Sequence, residues 1–451
     1  MTTSDIIAYR GCIGQLSLTE ESETRTASVI FEVNVDKGGA IHIIFQDQPL
    51  TQENSWITRV WSSSSPSMAM LQLRGVTGAG LTVESDWIIL RSVQAPSTPA
   101  SVILSIKASA AHLTVRYAKP TDKPGRLKYW IADLLFYRGT QFEMPFGNVG
   151  VRGGTETDAE DPMTGIITVQ QKDAAAGLET WIQDADKGVR RMLGVLSFAS
   201  GSILRANVME VYCGDTLVWV DFAGGRSPAP QHKPPLHFLD LANTFPPLAK
   251  AYDAALIERT GLDVAIEWHL MPHAYDEARF VAQMTAVEHL VSVFQRGTEA
   301  TYLPSGLYAE QVKPFLAQTL ADRITASTID QDVKDRAIEG MTRKLGDFHG
   351  LPLQDKLVRM LAAYRVPLDG LTEWIGNLIR VRNNIVHRGL HDPRGKDIEL
   401  AEHVAAAEEL VRRIVFALLG FQGRYQTWFG RVGDRECGCD PEERQGRPQS
   451  S

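Results

Sequence analysis

From Ala27 to about Phe222 the hydrophobic positions fall mostly in short β-prone runs separated by turn-forming residues. The runs over 28–35, 40–45, 55–61, 68–73, 80–90, 102–106, 112–117, 165–170 and 208–222 read as strand-forming, and so many short strands predict a sandwich or barrel-like architecture. One helix interrupts them over 186–199, where Val189, Met192, Leu193 and Leu196 recur at helical spacing.

The stretch Gly224-Gly225-Arg226-Ser227-Pro228-Ala229-Pro230, followed by Pro234-Pro235, breaks any regular element and marks the expected domain boundary. Beyond it the pattern turns helical. Pro246-Pro247 and Pro272 punctuate the approach, so 236–271 is expected to be a helical connector outside either core. Phe280, Met284, Val287, Val291 and Phe294 then share one helix face. Val312, Phe315, Leu316, Leu320 and Ile324 form a second such face, and Leu353, Leu357, Leu361 and Tyr364 a third. Two longer helices follow, 371–388 ended by Gly389 and 398–419 ended by Gly420. The pattern therefore predicts an α+β multidomain chain. A β-rich, sandwich or barrel-like domain covers 1–223, a linker and helical connector 224–271, and an all-α bundle of about five helices 272–428. Residues 429–451 read as a polar tail with too little apolar content to fold.

The length of 451 residues exceeds one ordinary core, and 44% hydrophobic with 22% charged residues excludes a disordered or fibrous chain. A formal net charge of −8 excludes indiscriminate coating of nucleic acid, which takes an excess of Lys and Arg, but leaves room for one local phosphate pocket. The start of the chain has neither the basic residues nor the apolar core of a signal peptide. The most apolar run, 414–419, is far too short to span a bilayer, so a cytoplasmic protein without membrane contact is expected. Cys12, Cys213, Cys437 and Cys439 form neither a disulfide framework nor paired zinc ligands, and Cys437-Gly438-Cys439 reads as solvated thiols in the tail. No metal or cofactor is expected.

Candidate chemistry concentrates in Arg380-Val381-Arg382-Asn383-Asn384-Ile385-Val386-His387, which joins a proton-transferring imidazole to a fixed cation. Spacing alone is weak, because Arg226/His232, Arg343/His349, Arg380/His387 and Arg382/His387 all match it loosely. Only the last two sit on a strongly patterned helix. At roughly 100° per residue, Ile375, Leu378, Ile379, Ile385 and Val386 share an apolar face with Arg382 in its middle. An unpaired guanidinium buried there costs on the order of several kcal/mol, so Arg382 demands a partner or a use. Asn383 and His387, four apart, are neighbours on the adjacent face, where Asn383 is expected to hold one imidazole tautomer.

Arg382-Asn383-Asn384-Ile385-Val386-His387, an Arg, a polar residue, three more and a His, resembles the signature of HEPN ribonucleases. Trp374-Ile375-Gly376-Asn377-Leu378-Ile379 before it, Arg388-Gly389-Leu390 after it, and Leu418-Leu419-Gly420-Phe421-Gln422-Gly423-Arg424-Tyr425 at the end of the next helix resemble the HEPN-like part of the ApeA family of bacterial antiphage proteins. A β-rich region followed by that bundle is also similar to ApeA. The resemblance implies metal-independent RNA cleavage, tRNA included, leaving a 2′,3′-cyclic phosphate and a 5′-hydroxyl. His387 would act as general base or acid on the ribose 2′-hydroxyl and Arg382 would stabilise charge on the phosphate. It implies a homodimer or higher homo-oligomer through the helical domain, with both motifs lining one cleft, and a phage-derived trigger at the β-rich domain.

Plainer accounts stand beside this one. Arg380, two turns before His387, is the alternative cation, and Asn384 a further auxiliary residue. Arg388 either binds phosphate or is an exposed charge complementing the helix C-terminus. Glu288 and His289 either approach the site or form a solvated flank, the simpler expectation. Gly147-Asn148-Val149-Gly150-Val151-Arg152-Gly153-Gly154 lacks the Lys-Ser/Thr of a phosphate loop and reads as a β-turn. Glu399 and His403 have metal-ligand spacing without a third ligand. The competing function is a non-catalytic dimerisation or RNA-binding bundle with a ligand-sensing β-domain. A carbohydrate-active β-domain has no carboxylate pair to support it.

Overall fold

The computed structural model describes residues 7–20, 23–36, 39–62, 71–94, 103–154, 164–172, 177–224, 232–296, 301–347, 349–389, 399–430 and 433–437. The chain divides into two compact units, Met1–Lys250 and Ala251–Ser451.

In the first unit, six antiparallel strands close on themselves. β1 (Ile7–Glu20) pairs with β2 (Glu23–Val35), β2 with β3 (Ile41–Phe45), and the two-residue β4 (Gln48–Pro49) lies beside β7. β5 (Leu71–Val76) joins β1 to β6 (Thr82–Gln94), and β7 (Ile103–Ala110) closes the ring between β3 and β6. Ala27, Val29, Phe31, Val33 and Val35 point inward from β2, and Ile41, Ile43 and Phe45 from β3. The period-two pattern of the sequence is thus the alternation between barrel interior and exterior.

β6 serves two sheets. Its residues Thr82 to Glu84 pair with β8 (His112–Arg116), while Ile88 to Gln94 pair with β7. From β8 the sheet continues through β14 (Thr216–Ala223), β13 (Ala206–Cys213), β9 (Gly125–Ile131), β12 (Gly165–Gln170) and β11 (Gly147–Arg152) to β10 (Thr140–Met144). α2 (Leu178–Ser200) covers part of it: Trp181 Nε1 donates to the Phe146 carbonyl at 2.7 Å, and Tyr129 donates to Asp186 Oδ1 at 3.3 Å. Burial, and then the Asp186 carboxylate, push the Tyr129 phenol far above its usual range, so it stays a donor.

Four expectations change in this unit. Residues 55–61 form helix α1 (Ser55–Ser62), because Trp56 and Ile57 are both buried in the barrel core, with Val60 packed against it. That spacing fits a helix turn and not a pleat. Gly147 to Arg152 is a strand, and the turn precedes it at Pro145-Phe146. The run 208–222 is a hairpin rather than one run. Part of the expected connector, α3 (Leu241–Ala251), packs Phe245 edge-on against Phe136 and Phe142 of the first unit.

The second unit is helical: α4 (Ala254–Thr260), α5 (Leu262–Leu270), α6 (Asp276–Gln295), the short α7 (Ser305–Leu307), α8 (Lys313–Thr325), α9 (Gln331–Lys344), α10 (Leu353–Ala363), α11 (Trp374–Arg388) and α12 (Leu400–Leu419). α6 is its axis, touching α4, α5, α10, α11 and α12. The connector reading fails for α5 as well. Its buried His269 donates through Nδ1 to Gln283 Oε1 on α6 at 2.6 Å, and Gln283 Nε2 donates back to the His269 carbonyl at 3.1 Å. α8 also differs from expectation, since it and α9 form a hairpin packed mainly on each other and bury no side chain fully. Phe315 is 68% exposed.

The expected polar tail is folded in part. β15 (Gly423–Thr427) pairs with β16 (Gly433–Cys437), and the pair is held by polar contacts where apolar content is short. Glu409, buried on α12, accepts from Arg413 Nε at 2.9 Å, Tyr425 OH at 2.7 Å and Thr427 Oγ1 at 2.9 Å. Arg413 Nη1 donates to the Pro367 and Asp369 carbonyls at 2.9 and 3.0 Å, and Arg435 Nη1 also reaches the Asp369 carbonyl. Cys437 ends β16, and Cys439 lies outside the described residues. No helix among the described residues is long and apolar enough to cross a membrane.

Glu409 and Arg413 are each 1% exposed. Glu409→Ala should therefore lower the stability of the helical unit by about 3–5 kcal/mol, because it strands a buried guanidinium, whereas Glu409→Leu with Arg413→Met should cost much less. Urea unfolding followed by circular dichroism measures both, and equal losses would refute the coupling.

Candidate functional site

α11 begins after the turn at 367–373 and stops at Gly389, whose φ of 77° and N–H bond to the Ile385 carbonyl at 2.7 Å form a left-handed cap that favours glycine. Ile375, Leu378, Val381 and Ile385 are the buried positions. The buried face is thus turned from the expected one: Val381 joins it, Ile379 is only partly buried, and Val386 is 50% exposed. α11 packs against α6, α10 and α12, and Val386 lies on the side that these neighbours leave open.

Arg382 lies at the edge of that face, beside α6. Its Nη2 donates to Glu288 Oε2 at 2.7 Å and its Nε stands 2.6 Å from Glu288 Oε1, a two-pronged ion pair with both side chains about one-quarter exposed at 27% and 26%. Nη1 donates to Asn383 Oδ1 at 3.2 Å. All three guanidinium nitrogens therefore have a partner. The solvated-flank expectation for Glu288 fails, because the Met284 and Val287 side of α6 is buried and carries Glu288 to the rim of the contact with α11. His289 points elsewhere, against Gly261 at the start of α5.

His387 is exposed, and among the described residues it makes no hydrogen bond or ion pair. Asn383 does not hold its imidazole, since the Asn383 carbonyl oxygen is taken by Arg382. Arg382 and His387, five apart, diverge by roughly 140° around the helix and about 7.5 Å along it. Arg380 donates to Asn377 Oδ1 at 3.0 Å on an exposed face, Asn384 is half-buried, and Arg388 is exposed in the last turn. The structure therefore joins Arg382, Glu288 and Asn383 in one cluster and leaves His387 beside it.

His403 and the charged residues of α12 lie outside that cluster. His403 is buried and donates through Nδ1 to the Glu399 carbonyl at 3.2 Å, a bond within its own helix, and Trp374 packs on it edge-on with ring centroids 5.4 Å apart. Among the described residues no group of three or more His, Cys, Asp or Glu converges. The cluster that residue patterns did not single out is Glu408, Glu409, Arg412 and Arg413, all buried on α12. Its signal was available as two Glu/Arg pairs four apart within a long apolar helix. Burial pulls the Arg412 guanidinium below its ordinary value, against the pull of Glu408 and Glu409. Arg279 Nε reaches Glu408 Oε1 at 2.6 Å, which ties α6 to α12.

A double-mutant cycle on Glu288→Gln and Arg382→Gln should return a coupling of about 1–2 kcal/mol, above an exposed pair and below a fully buried one. A value near zero would make the contact incidental. Comparison with protein-family models, with curated proteins and with solved structures finds no match for the chain.

Proposed function

We propose that the helical unit is a HEPN-type, metal-independent endoribonuclease of the ApeA kind, acting in antiphage defence by abortive infection. The observation that carries it is a guanidinium held in fixed orientation at a helix rim, one and a half turns before an exposed imidazole that nothing among the described residues restrains. Fixed positive charge and a free proton acceptor are what 2′-hydroxyl attack requires. His387 takes the 2′-hydroxyl proton, the 2′-oxygen bonds to phosphorus as the bond from phosphorus to the 5′-oxygen breaks, and the 5′-oxygen leaves with a proton taken from water. The products are a 2′,3′-cyclic phosphate and a 5′-hydroxyl. Arg382 stabilises the charge that builds on the phosphate oxygens. DNA is excluded because it lacks the attacking hydroxyl. Because Arg382 and His387 diverge around one helix, two copies of the motif facing each other supply the complete set, so the acting species is a homodimer or larger. The β-rich unit is the sensor for a phage-derived trigger, and the RNA, tRNA among it, is cut in the bacterial cytoplasm.

A second reading has its own observation. Glu288 satisfies Arg382 within the chain, so packing alone accounts for an Arg at that position, and the bundle would then dimerise or hold RNA without cutting it. Substituting His387 separates the two. It is exposed and without a described partner, so His387→Ala should change stability by less than about 0.5 kcal/mol. On the first reading it should lower RNA cleavage by about 10²–10⁴-fold and abolish phage protection. The measurement is growth under phage challenge, with total RNA and tRNA assayed for ends carrying cyclic phosphate. Protection by the mutant equal to wild type, with no such ends in either, would establish the non-catalytic reading.

A further inference from the structure

Away from the Arg382 cluster, the helical unit carries a cavity of about 970 Å³ between the first turns of α11 and α12 and the hairpin of β15 and β16. Trp374, Trp428 and Phe429 line it, with Glu402 on the helix side and Arg435 on the hairpin side. All three rings are only half-buried. Trp374 and Phe429 stand edge-to-face with ring centroids 5.3 Å apart, so the walls offer flat apolar surface in two orientations.

The walls are held before any ligand arrives. Thr427 Oγ1 donates to the buried Glu409 and accepts the Phe429 N–H at 3.3 Å, which fixes the turn that carries Trp428 and Phe429. Arg435 gives Nη1 to the Asp369 carbonyl at 3.0 Å and holds it 4.0 Å from the buried Glu409 carboxylate, and among the described residues no hydrogen bond from its Nε or Nη2 is made. Glu402 is exposed in the first turn of α12, and its carboxylate likewise has no partner among the described residues.

Aromatic walls, an exposed carboxylate that can accept N–H donors and a guanidinium whose Nε and Nη2 remain for an anion beyond its long contact with Glu409 define the ligand by its chemistry. A flat ring with two adjacent N–H donors and an attached phosphate satisfies all three. Guanine offers that pair on its Watson–Crick edge, whereas uracil offers a single N–H and adenine lacks the ring N–H. We infer that this cavity binds a guanine nucleotide, the base stacked on one of the two perpendicular rings of Trp374 and Phe429 with its edge against the other, its N1–H and 2-amino group on Glu402, and the phosphate on Arg435. The volume lies within the range of small-molecule pockets. Trp374 stands about 20 Å from His387 along α11, so this site does not depend on the nuclease reading.

The test is calorimetric titration of the full chain with GMP, inosine 5′-monophosphate, ribose 5-phosphate and a short guanine-containing oligoribonucleotide. Wild type should bind GMP saturably and about tenfold more tightly than the inosine nucleotide, which lacks the 2-amino group. Glu402→Gln should abolish that preference, Phe429→Leu and Arg435→Gln should each weaken GMP, and His387→Ala should leave the binding constant unchanged. Saturable GMP binding identifies a free nucleotide as the ligand, and binding of the oligoribonucleotide alone identifies a guanine within RNA. The proposal is overturned if neither binds, if ribose 5-phosphate binds as well as GMP, or if Glu402→Gln and Phe429→Leu, shown by circular dichroism to be folded, bind as wild type does.

Discussion

A carboxylate withdrawn from water has to collect its hydrogen-bond donors from the protein, and at Glu409 those donors come from separate segments. Arg413 lies one turn along α12, while Tyr425 and Thr427 come from the terminal hairpin. Arg413 in turn reaches two carbonyls of the turn that leads into α11. One buried ion pair therefore joins α12, the hairpin and the approach to α11. The same bonds that satisfy it decide where α11 starts and how the aromatic hairpin turn is presented. Tyr425, raised by burial and then by Glu409, stays protonated and remains a donor.

The cluster around Arg382 follows a different logic. A guanidinium near a packed face is tolerated only when its charge is met, and Glu288 meets it through two contacts from the neighbouring helix. That pairing has two consequences. It orients the guanidinium, and it partly neutralises the charge that the group presents at the helix rim. His387, on the exposed side of the same helix, makes no hydrogen bond or ion pair among the described residues.

In the β-rich unit the controlling constraint is the length of β6. A strand of 13 residues reaches past the barrel it closes, so its first residues are left with edges to satisfy. β8 takes that edge, and the remaining strands extend the sheet from there. Barrel and open sheet thus share one backbone rather than being two domains joined by a linker.

How much was legible in the chain follows the range of each interaction. Local chemistry was readable. The β-prone runs announced β2 and β3, Gly389 and Gly420 announced the ends of α11 and α12, and Arg382 and His387 stood out as an Arg and a His on one patterned helix. Contacts between distant segments were not. Glu288 lies 94 residues from Arg382, and nothing in either segment announces the other. The buried face of α11 takes in Val381 and leaves Val386 exposed, because the side that is covered depends on how the neighbouring helices pack on it. Trp56 and Ile57 carried β propensity and became a helix because the barrel core took both side chains at once. Residues after Trp428 lack the apolar content to fold alone, yet β16 forms because Glu409 and Asp369, far back in the chain, accept what the hairpin donates. Sequence by itself determined the periods, the caps and the candidate motif, since those arise within a few residues of one another. Tertiary structure decided which charges are paired, which faces are covered and which polar segments are folded, since each of these depends on a partner that only the folded chain supplies.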